Sequence, residues 1–378
     1  MQLTVSVLLP TYNRAGLLVE TIDSLLAQTR PVDEILVIDD GSSDDTAARV
    51  AAYGAPVRYI HQPNGGKSSA LNLGLAQSTG DLVWICDDDD LLLPQACERM
   101  ATTLEADAGL GYCAARHEDF TFNPVSGETR LKPPGYMKRS QPDELFPDLL
   151  IGCHIFQPGL MVRRTVYDQV GPFRKDLTRS QDFEMLLRVA RTSRGVQLDE
   201  VLFHHREHDG ERGSAAERFS MQQANARWIH FHRVIMENLV PDLDDAEILP
   251  ASVWTDPARA TTRQRTAAIK RATIYARNQL WPEAVHAWHE IAEGAGGPLD
   301  ELERDMMGSA TLYSLGCDQL LDDKAVRAAA LALKKVSPLG REMLSQVARS
   351  LRWRLKLALT KRQFGRAFSL ARFILAAR

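Results

Sequence analysis

The chain has 378 residues and a mass of 42.1 kDa, beyond the usual size of one hydrophobic core, so about two domains are expected. Apolar residues make up 44% and charged residues 25%, ordinary values that exclude a disordered chain, a collagen-like fibre and a small disulfide scaffold. Residues 1–240 hold 24 Lys+Arg against 33 Asp+Glu, and residues 241–378 hold 21 against 16, so the front half lacks the basic surface that a nucleic-acid backbone requires.

The N-terminus, Met-Gln-Leu-Thr-Val-Ser-Val-Leu-Leu-Pro, has no basic leader and only a short apolar stretch, so it reads as a first strand and not as a signal peptide. Val5 to Leu9, Ile35 to Ile38, Val57 to Ile60 and Leu82 to Ile85 are apolar runs of strand length. Between them Leu17 to Ala27, Thr46 to Ala52 and Ala70 to Leu75 carry helical periodicity. That alternation predicts an α/β fold, a mostly parallel sheet with helices on both faces. Ligands of such sheets bind outside the carboxyl ends of the strands. Residues 116–160 are broken by Pro124, Pro133, Pro134, Pro142 and Pro147, and either shape an acceptor pocket or close the fold. A helix is expected over Ser180 to Ala190, capped by Ser180, then a strand over Val196 to Phe203 and a helix from about Ala215 to Leu239. The acidic, turn-rich stretch 241–257 reads as a linker between a domain 1–240 and an alanine-rich helical region 258–378. Cys86, Cys97, Cys113, Cys153 and Cys317 form no Cys-x-x-Cys pair, which suits reduced thiols in a cytoplasm, and no apolar run approaches the ~18 residues of a membrane span.

Five stretches carry groups able to do chemistry. Asp39-Asp40-Gly41-Ser42-Ser43-Asp44 follows the second strand, where carboxylates can bind ribose hydroxyls or base N–H groups; taken alone it is also ordinary turn and cap chemistry. Asp87-Asp88-Asp89-Asp90 follows the fourth strand, and four adjacent carboxylates repel one another unless a cation is shared among them. Alternate side chains share a face in extended geometry, so Asp87 and Asp89 can point together at Mg2+ or Mn2+. Asn64 to Gly74 is a glycine-bearing turn opening a helix; Gly66-Lys67-Ser68 tempts a P-loop assignment that fails because His61 stands where its leading glycine belongs. Asp182, in Ser180-Gln181-Asp182-Phe183-Glu184, sits in a first helical turn, either as a general base or as a favourable acid at a helix N-terminus. Phe203-His204-His205-Arg206-Glu207-His208 ends a strand in imidazoles and a guanidinium, suited to metal and phosphate or to a polar surface.

The joint order is more telling than any one motif. Val5 to Arg14, Asp39 to Ser42, Asn64 to Gly74, Asp87 to Asp90 with Pro94, Gly171-Pro172-Phe173, and Gln181-Asp182 with Arg188 follow one another as in the inverting family 2 glycosyltransferases of the GT-A fold, and the resemblance covers about residues 3–235. It implies that Thr11 and Tyr12 lie against the nucleotide base with Asp39 bonded to it, and that Pro10, Arg14, Lys67 and Asp88 belong to the nucleotide site. Asp87 is implied on the ribose side, Asp89 as ligand of Mn2+ or Mg2+, Asp182 as catalytic base, and Arg206 and His208 as a distal pair at the diphosphate and the metal. Gln181 stands where many relatives have Glu, and the all-Asp run leaves the metal register open by one residue. The implied reaction moves a sugar from a nucleotide-diphosphate donor, UDP by default, to a hydroxyl of a glycan or lipid-linked glycan in surface or extracellular polysaccharide synthesis, with no nucleic-acid partner. The rival readings are a silent family member acting as a scaffold and a sugar-nucleotide nucleotidyltransferase, whose glycine- and arginine-rich phosphate loop is missing at Leu9 to Arg14.

Past the catalytic motifs, Arg277 to Val285 and Lys361 to Ala367 resemble the turns of tetratricopeptide-type helical hairpins. Arg349 to Arg378 holds nine Lys+Arg and no acid, with Phe364, Ala367, Phe368, Ala371, Ile374 and Leu375 on one helical face. That end reads either as a face lying on anionic lipid at the cytoplasmic side of a membrane or as a packing helix with a solvated basic side. The period-two alternation of Leu351 to Leu359 leaves its helical state open.

Overall fold

Val5–Thr11 (β1) and Glu34–Asp39 (β2) are buried along their whole length in the computed structural model, the pattern of central strands covered on both faces. The structure describes residues 2–123, 128–132, 138–142, 144–207, 221–294, 296–312 and 316–378. They divide into two compact units, one spanning 1–145 and 153–224, the other 146–152 and 225–378.

The first unit is built on one sheet. Besides β1 and β2 it contains Val57–His61 (β3), Leu82–Ile85 (β4), Leu91–Leu92 (β5), Leu110–Asn123 (β6), Glu128–Leu131 (β7), Leu160–Arg163 (β8) and Arg194–Glu207 (β9). Their order is β3-β2-β1-β4-β8-β6-β9-β5, with β7 paired to β6. The strands β3, β2, β1 and β4 are mutually parallel, as the sequence predicts. Beyond them β8 inserts antiparallel between β4 and β6, so the sheet is mixed. Helices Ala15–Leu26 (α1), Thr46–Val50 (α2), Lys67–Gln77 (α3) and Ala96–Ala106 (α4) follow β1, β2, β3 and the β4–β5 segment. Later in the chain come Leu145–Leu149 (α5), of which residues 146–149 belong to the second unit, and then Arg164–Val170 (α6) and Gln181–Thr192 (α7) of the first.

The parallel register fixes where chemistry can gather. Thr11 lies beside Asp39 and Leu8 beside Ile85, so the loops after β1, β2 and β4 leave the sheet at one edge. Trp84, fully buried at the centre of β4, donates its indole N–H to the Pro158 carbonyl at 2.7 Å and ties that sheet to the turn before β8.

The second unit is helical. It contains Met221–Leu239 (α8), Asp245–Ile248 (α9), Ala251–Trp254 (α10), Arg263–Arg277 (α11), Trp281–Glu293 (α12), Glu301–Ser309 (α13), Asp318–Asp322 (α14), Lys324–Val336 (α15), Pro338–Thr360 (α16) and Phe364–Ala376 (α17). The stretch read as a linker carries the short helices α9 and α10, with Asp244 and Glu247 closing a capping box at the start of α9. Trp281 and Trp288 pack edge to face with centroids 6.2 Å apart in the core of the unit. Residues 146–152 belong to this unit because Arg277 Nε donates to the Ile151 carbonyl at 2.7 Å and Asn278 Nδ2 to that of Leu150 at 2.8 Å.

The two hairpin-like sequences fold into the same turn. Gln279 and Arg362 both take positive φ, 67° and 55°. The next residues, Leu280 and Gln363, donate backbone N–H bonds to the carbonyls of Tyr275 and Ala358, five residues back in each case. No helix among the described residues is long and apolar enough to cross a membrane.

Trp84→Ala should lower the stability of the first unit by about 3–5 kcal/mol, because it opens a cavity in the core and leaves the Pro158 carbonyl without its donor. Urea denaturation followed by far-UV circular dichroism measures this; a loss below about 1 kcal/mol would contradict the packing described.

Candidate active site

Thr11, Asp39 and the run after β4 meet at the common edge of the parallel strands. The run is a turn and not the extended chain expected, with the Asp90 N–H bonded to the Asp87 carbonyl at 3.4 Å; Asp87 and Asp89 are partly exposed, whereas Asp88 and Asp90 are buried. Four carboxylates in a row are held by cations from three other segments. Arg14 Nη1 bonds Asp88 Oδ1 at 2.9 Å and Asp89 Oδ2 at 2.8 Å. Lys67, the first residue of α3, is ion-paired with Asp87. Arg206, from β9, donates its backbone N–H to Asp90 Oδ1 at 2.9 Å, its Nε to the Asp89 carbonyl at 2.8 Å and its Nη2 to Glu20 at 2.6 Å.

Titration behaviour follows from this geometry. Burial pushes the Asp88 carboxyl up to about 6; Arg14 opposes the rise and Asp89 adds to it. Asp90 is raised as well, chiefly by burial and then by its Asp89 and Asp87 neighbours, and its Oδ2 has no hydrogen-bond partner. Burial alone would lower Arg14, yet Asp88 and Asp89 outweigh it and hold the guanidinium charged. Lys67 behaves in the same way: burial lowers it, but Asp87, then Asp182, and also Asp89 raise it above the usual ammonium value. Asp182 therefore shares one electrostatic neighbourhood with the acidic run.

Polar clamps place these loops. Asp40, buried, accepts the N–H groups of Gly65 and Gly66, both at 2.8 Å, and so holds the turn that presents Lys67. Gly41 has φ +84°, and a Cβ there would stand 2.8 Å from the Asn64 nitrogen, so the close approach of the two loops requires glycine. Asn13 Oδ1 accepts the Ser43 N–H at 2.7 Å while its own N–H reaches Ser42 Oγ at 2.9 Å, which ties the β1 loop to the β2 loop. Asn72 exchanges two hydrogen bonds with the backbone of Phe173, joining α3 to the loop before α7. Arg188 binds Glu184 through two bonds and caps the carbonyls of Val170 and Pro172, fixing α7 on that same loop.

The structure gives the sequence-predicted residues the following surroundings. Pro10 and Thr11 are buried, and the Thr11 hydroxyl donates to Asp88 Oδ2 at 2.7 Å, so it supports the acidic loop from beneath instead of facing an open pocket. Asp39 is buried, with Oδ1 accepting the Ser42 N–H at 2.8 Å and Oδ2 accepting the Tyr59 hydroxyl. Arg206 is buried under the run, with its guanidinium 4.6 Å over the Phe120 ring. It braces the loop, because its contacts are to Glu20, Phe120 and the Asp89–Asp90 backbone and carboxylate. Ser180 takes a left-handed conformation and makes no capping bond, contrary to the cap expected of it. Tyr12 is half-buried, and Asp182 is exposed in the first turn of α7. His208 lies outside the described residues.

Sequence reading missed Asn13, Asp40, Asn72 and Glu20 as positioning residues. The first three lie inside the quoted motifs and could be found there; Glu20 has no local signal. It also missed a cluster where β6 meets β9: His117 stacks 4.2 Å from Phe156, Phe156 lies 5.2 Å from His205, and His205 Nδ1 is hydrogen-bonded to Asp119 at 2.9 Å. Burial pushes His117 down to about 4, so the ring is neutral at physiological pH.

Among the described residues no three carboxylate, imidazole or thiolate groups converge as a ready cage for a cation. The chemistry of the donor set nevertheless suits Mn2+ or Mg2+. Asp87 and Asp89 are partly exposed hard oxygen ligands, and such ions take one or two carboxylates and complete their shell with phosphate and water. A separate depression of about 550 Å3, lined by Thr4, Glu34, Arg58 and Thr79 among others, opens at the amino-terminal end of the same strands. It is remote from these carboxylates and on the side where α/β sheets rarely bind ligands.

The raised Asp88 makes stability depend on pH. Between about pH 4 and 6 the folded chain holds a proton that the unfolded chain has released, so this group's contribution, full below about 4, is lost as pH rises through 6. Asp88→Asn should flatten that part of a plot of Tm against pH; an unchanged slope would contradict the burial of Asp88.

Comparison with known proteins agrees with this architecture. The model of the family described as Glycosyl transferase family 2 matches residues 6–171, which include every loop of the acidic site up to Asp90 but not Asp182. An uncharacterised glycosyltransferase of Rickettsia typhi is 29% identical over 236 residues, 60% of this chain and 71% of that protein. Another, from Rickettsia prowazekii, is 30% identical over 54% of this chain and 64% of its own length. YibD of Escherichia coli, also an uncharacterised glycosyltransferase, is 35% identical over 46% of this chain and spans 48% of its own length. In fold, residues 1–349 of S. aureus TarS, solved with UDP-GlcNAc, match with a TM-score of 0.52 at 17% identity, over 90% of this chain and 91% of that one. Residues 6–171, which carry the strand-end loops of this GT-A fold, form a domain of the family 2 glycosyltransferases.

Proposed function

We propose that the chain transfers a sugar from a nucleotide-diphosphate donor to an acceptor hydroxyl with inversion at the anomeric carbon. The observation that carries this reading is the charge neighbourhood of Lys67, which contains Asp87 and Asp89 from the β4 end and Asp182 from α7. One edge of the sheet thus unites groups suited to an activated donor with an exposed carboxylate suited to an incoming hydroxyl.

In the proposed reaction the acceptor is a hydroxyl of a glycan or lipid-linked glycan. Asp182 accepts the hydroxyl proton as the oxygen attacks the anomeric carbon, forming the new C–O bond. The bond from that carbon to the diphosphate oxygen breaks on the opposite side, and the nucleoside diphosphate leaves with the electron pair. Asp87 and Asp89 are the residues that would hold Mn2+ or Mg2+, which neutralises charge on a diphosphate. Tyr12 and Asp39 border the nucleotide, and Lys67 lies where an ammonium can meet phosphate. Arg14, Thr11, Asp88 and Arg206 hold the loop in shape; their own contacts support positioning roles. TarS, similar in fold, was solved with UDP-GlcNAc, which makes UDP sugars the first donors to test.

Thermal shift with UDP, dTDP, GDP and CDP, each with and without Mn2+, tests the donor site. A rise in Tm with UDP that requires Mn2+ and vanishes in Asp89→Ala is expected. No shift with any nucleotide would favour a silent scaffold.

Asp182→Asn should reduce transfer by about 10²–10⁴-fold, the usual worth of a general base, while leaving the nucleotide shift in place. Retained turnover would remove Asp182 from that role. The anomeric coupling of the product, read by proton NMR, should be opposite to that of the donor.

A further inference from the structure

We propose that the hairpin of α16 and α17 docks on an anionic lipid surface. Every described large apolar side chain that is more than half exposed lies between residues 353 and 375: Trp353 at 53%, Leu359 at 52%, Phe364 at 68%, Phe368 at 69% and Leu375 at 65%. Scattered apolar residues are normal on a surface, whereas this concentration within one hairpin marks an interaction face.

The face is built from the outward sides of two helices that pack on each other. The stretch with period-two alternation is helical throughout, inside Pro338–Thr360. Along α16, Leu344, Val347, Leu351 and Ala358 are buried, while Arg349, Arg352, Trp353, Lys356 and Leu357 are exposed at helical spacing on the other side. On α17 the apolar face expected from sequence splits in two. Ala367, Leu370, Phe373 and Ile374 are buried, and Phe364, Phe368, Arg372 and Leu375 point outward. A packing helix with a solvated side has polar residues there; α17 presents two phenylalanines.

Charge selects the partner. From Arg349 to Arg378 there are nine basic residues and no acid. Arg366 is paired with Asp318 and Asp322. Arg349, Arg352, Lys356 and Arg372 form no ion pair among the described residues, and neither does Arg378. Arg349, Arg352 and Arg378 all line one depression of about 70 Å3 between the two helices, so basic side chains are gathered there. A second copy of the chain would bring a like-charged face and be repelled. Anionic headgroups supply the opposite charge, and the acyl boundary beneath them takes up Trp, Phe and Leu side chains, the composition of an interfacial helix. This surface is independent of the donor site, so either proposal can fail without the other.

Flotation of the full chain with vesicles of phosphatidylcholine alone, or containing about a third phosphatidylglycerol, tests the proposal. Association is expected with the anionic vesicles only, weakening at 0.5 M salt. The pair Arg349→Ala and Arg352→Ala should lower partitioning about 30-fold. The triple change Trp353→Ser, Phe364→Ser and Phe368→Ser should abolish it while Tm and nucleotide binding stay unchanged, since all three side chains are exposed. Failure of the parent chain to float with anionic vesicles would overturn the proposal, as would equal binding by the variants. So would a dimer in solution that the triple change makes monomeric, which would assign the face to a second copy.

Discussion

Charge compensation at the end of β4 governs the first unit. Four consecutive carboxylates, two of them buried, fold together only because cations and donors reach them from segments distant in sequence: Arg14 after β1, Lys67 at the head of α3 and Arg206 on β9. Any one of these segments displaced would leave like charges in a poorly solvated place, a cost that no local rearrangement removes. The run therefore links strand order to loop position: β1, β3 and β9 must deliver their ends where the acids are.

Much of the polar chemistry at that edge serves the backbone. Asp40 holds the Gly65–Gly66 turn, Asn13 joins two loops, Asn72 joins α3 to the Phe173 loop, and Arg188 seats α7. Each bond acts across the sheet edge, so together they determine where Asp182 stands relative to Asp87 and Asp89. Loops built this way have backbone groups bonded within the protein and not to water alone.

In the second unit the governing constraint is the repeated turn. Positive φ at Gln279 and at Arg362, followed by the same backbone bond five residues back, reverses the chain twice with one geometry. Reversal after α16 brings α17 back along it, so a helix with apolar residues on two sides can bury only one of them. The side left over carries Phe364 and Phe368 among basic residues and defines the face presented by this unit.

The sequence by itself determined the parallel strands β1 to β4, the helices between them and the family, because near-continuous apolar runs, helical periodicity and ordered motifs are local signals. It also named Asp87 and Asp89 as a pair, and these are the partly exposed members of the run, although the chain there is a turn and not the extended segment from which the pairing was argued. Tertiary structure decided the rest. That Arg206 lies beneath the acidic loop, that Thr11 supports Asp88, that Ser180 leaves its cap role unfilled and that β8 enters antiparallel all depend on partners far away in sequence. The split of the α17 face has the same origin. A pattern of apolar residues states which side chains prefer to leave water, and only the neighbouring helix settles which of them have somewhere to go.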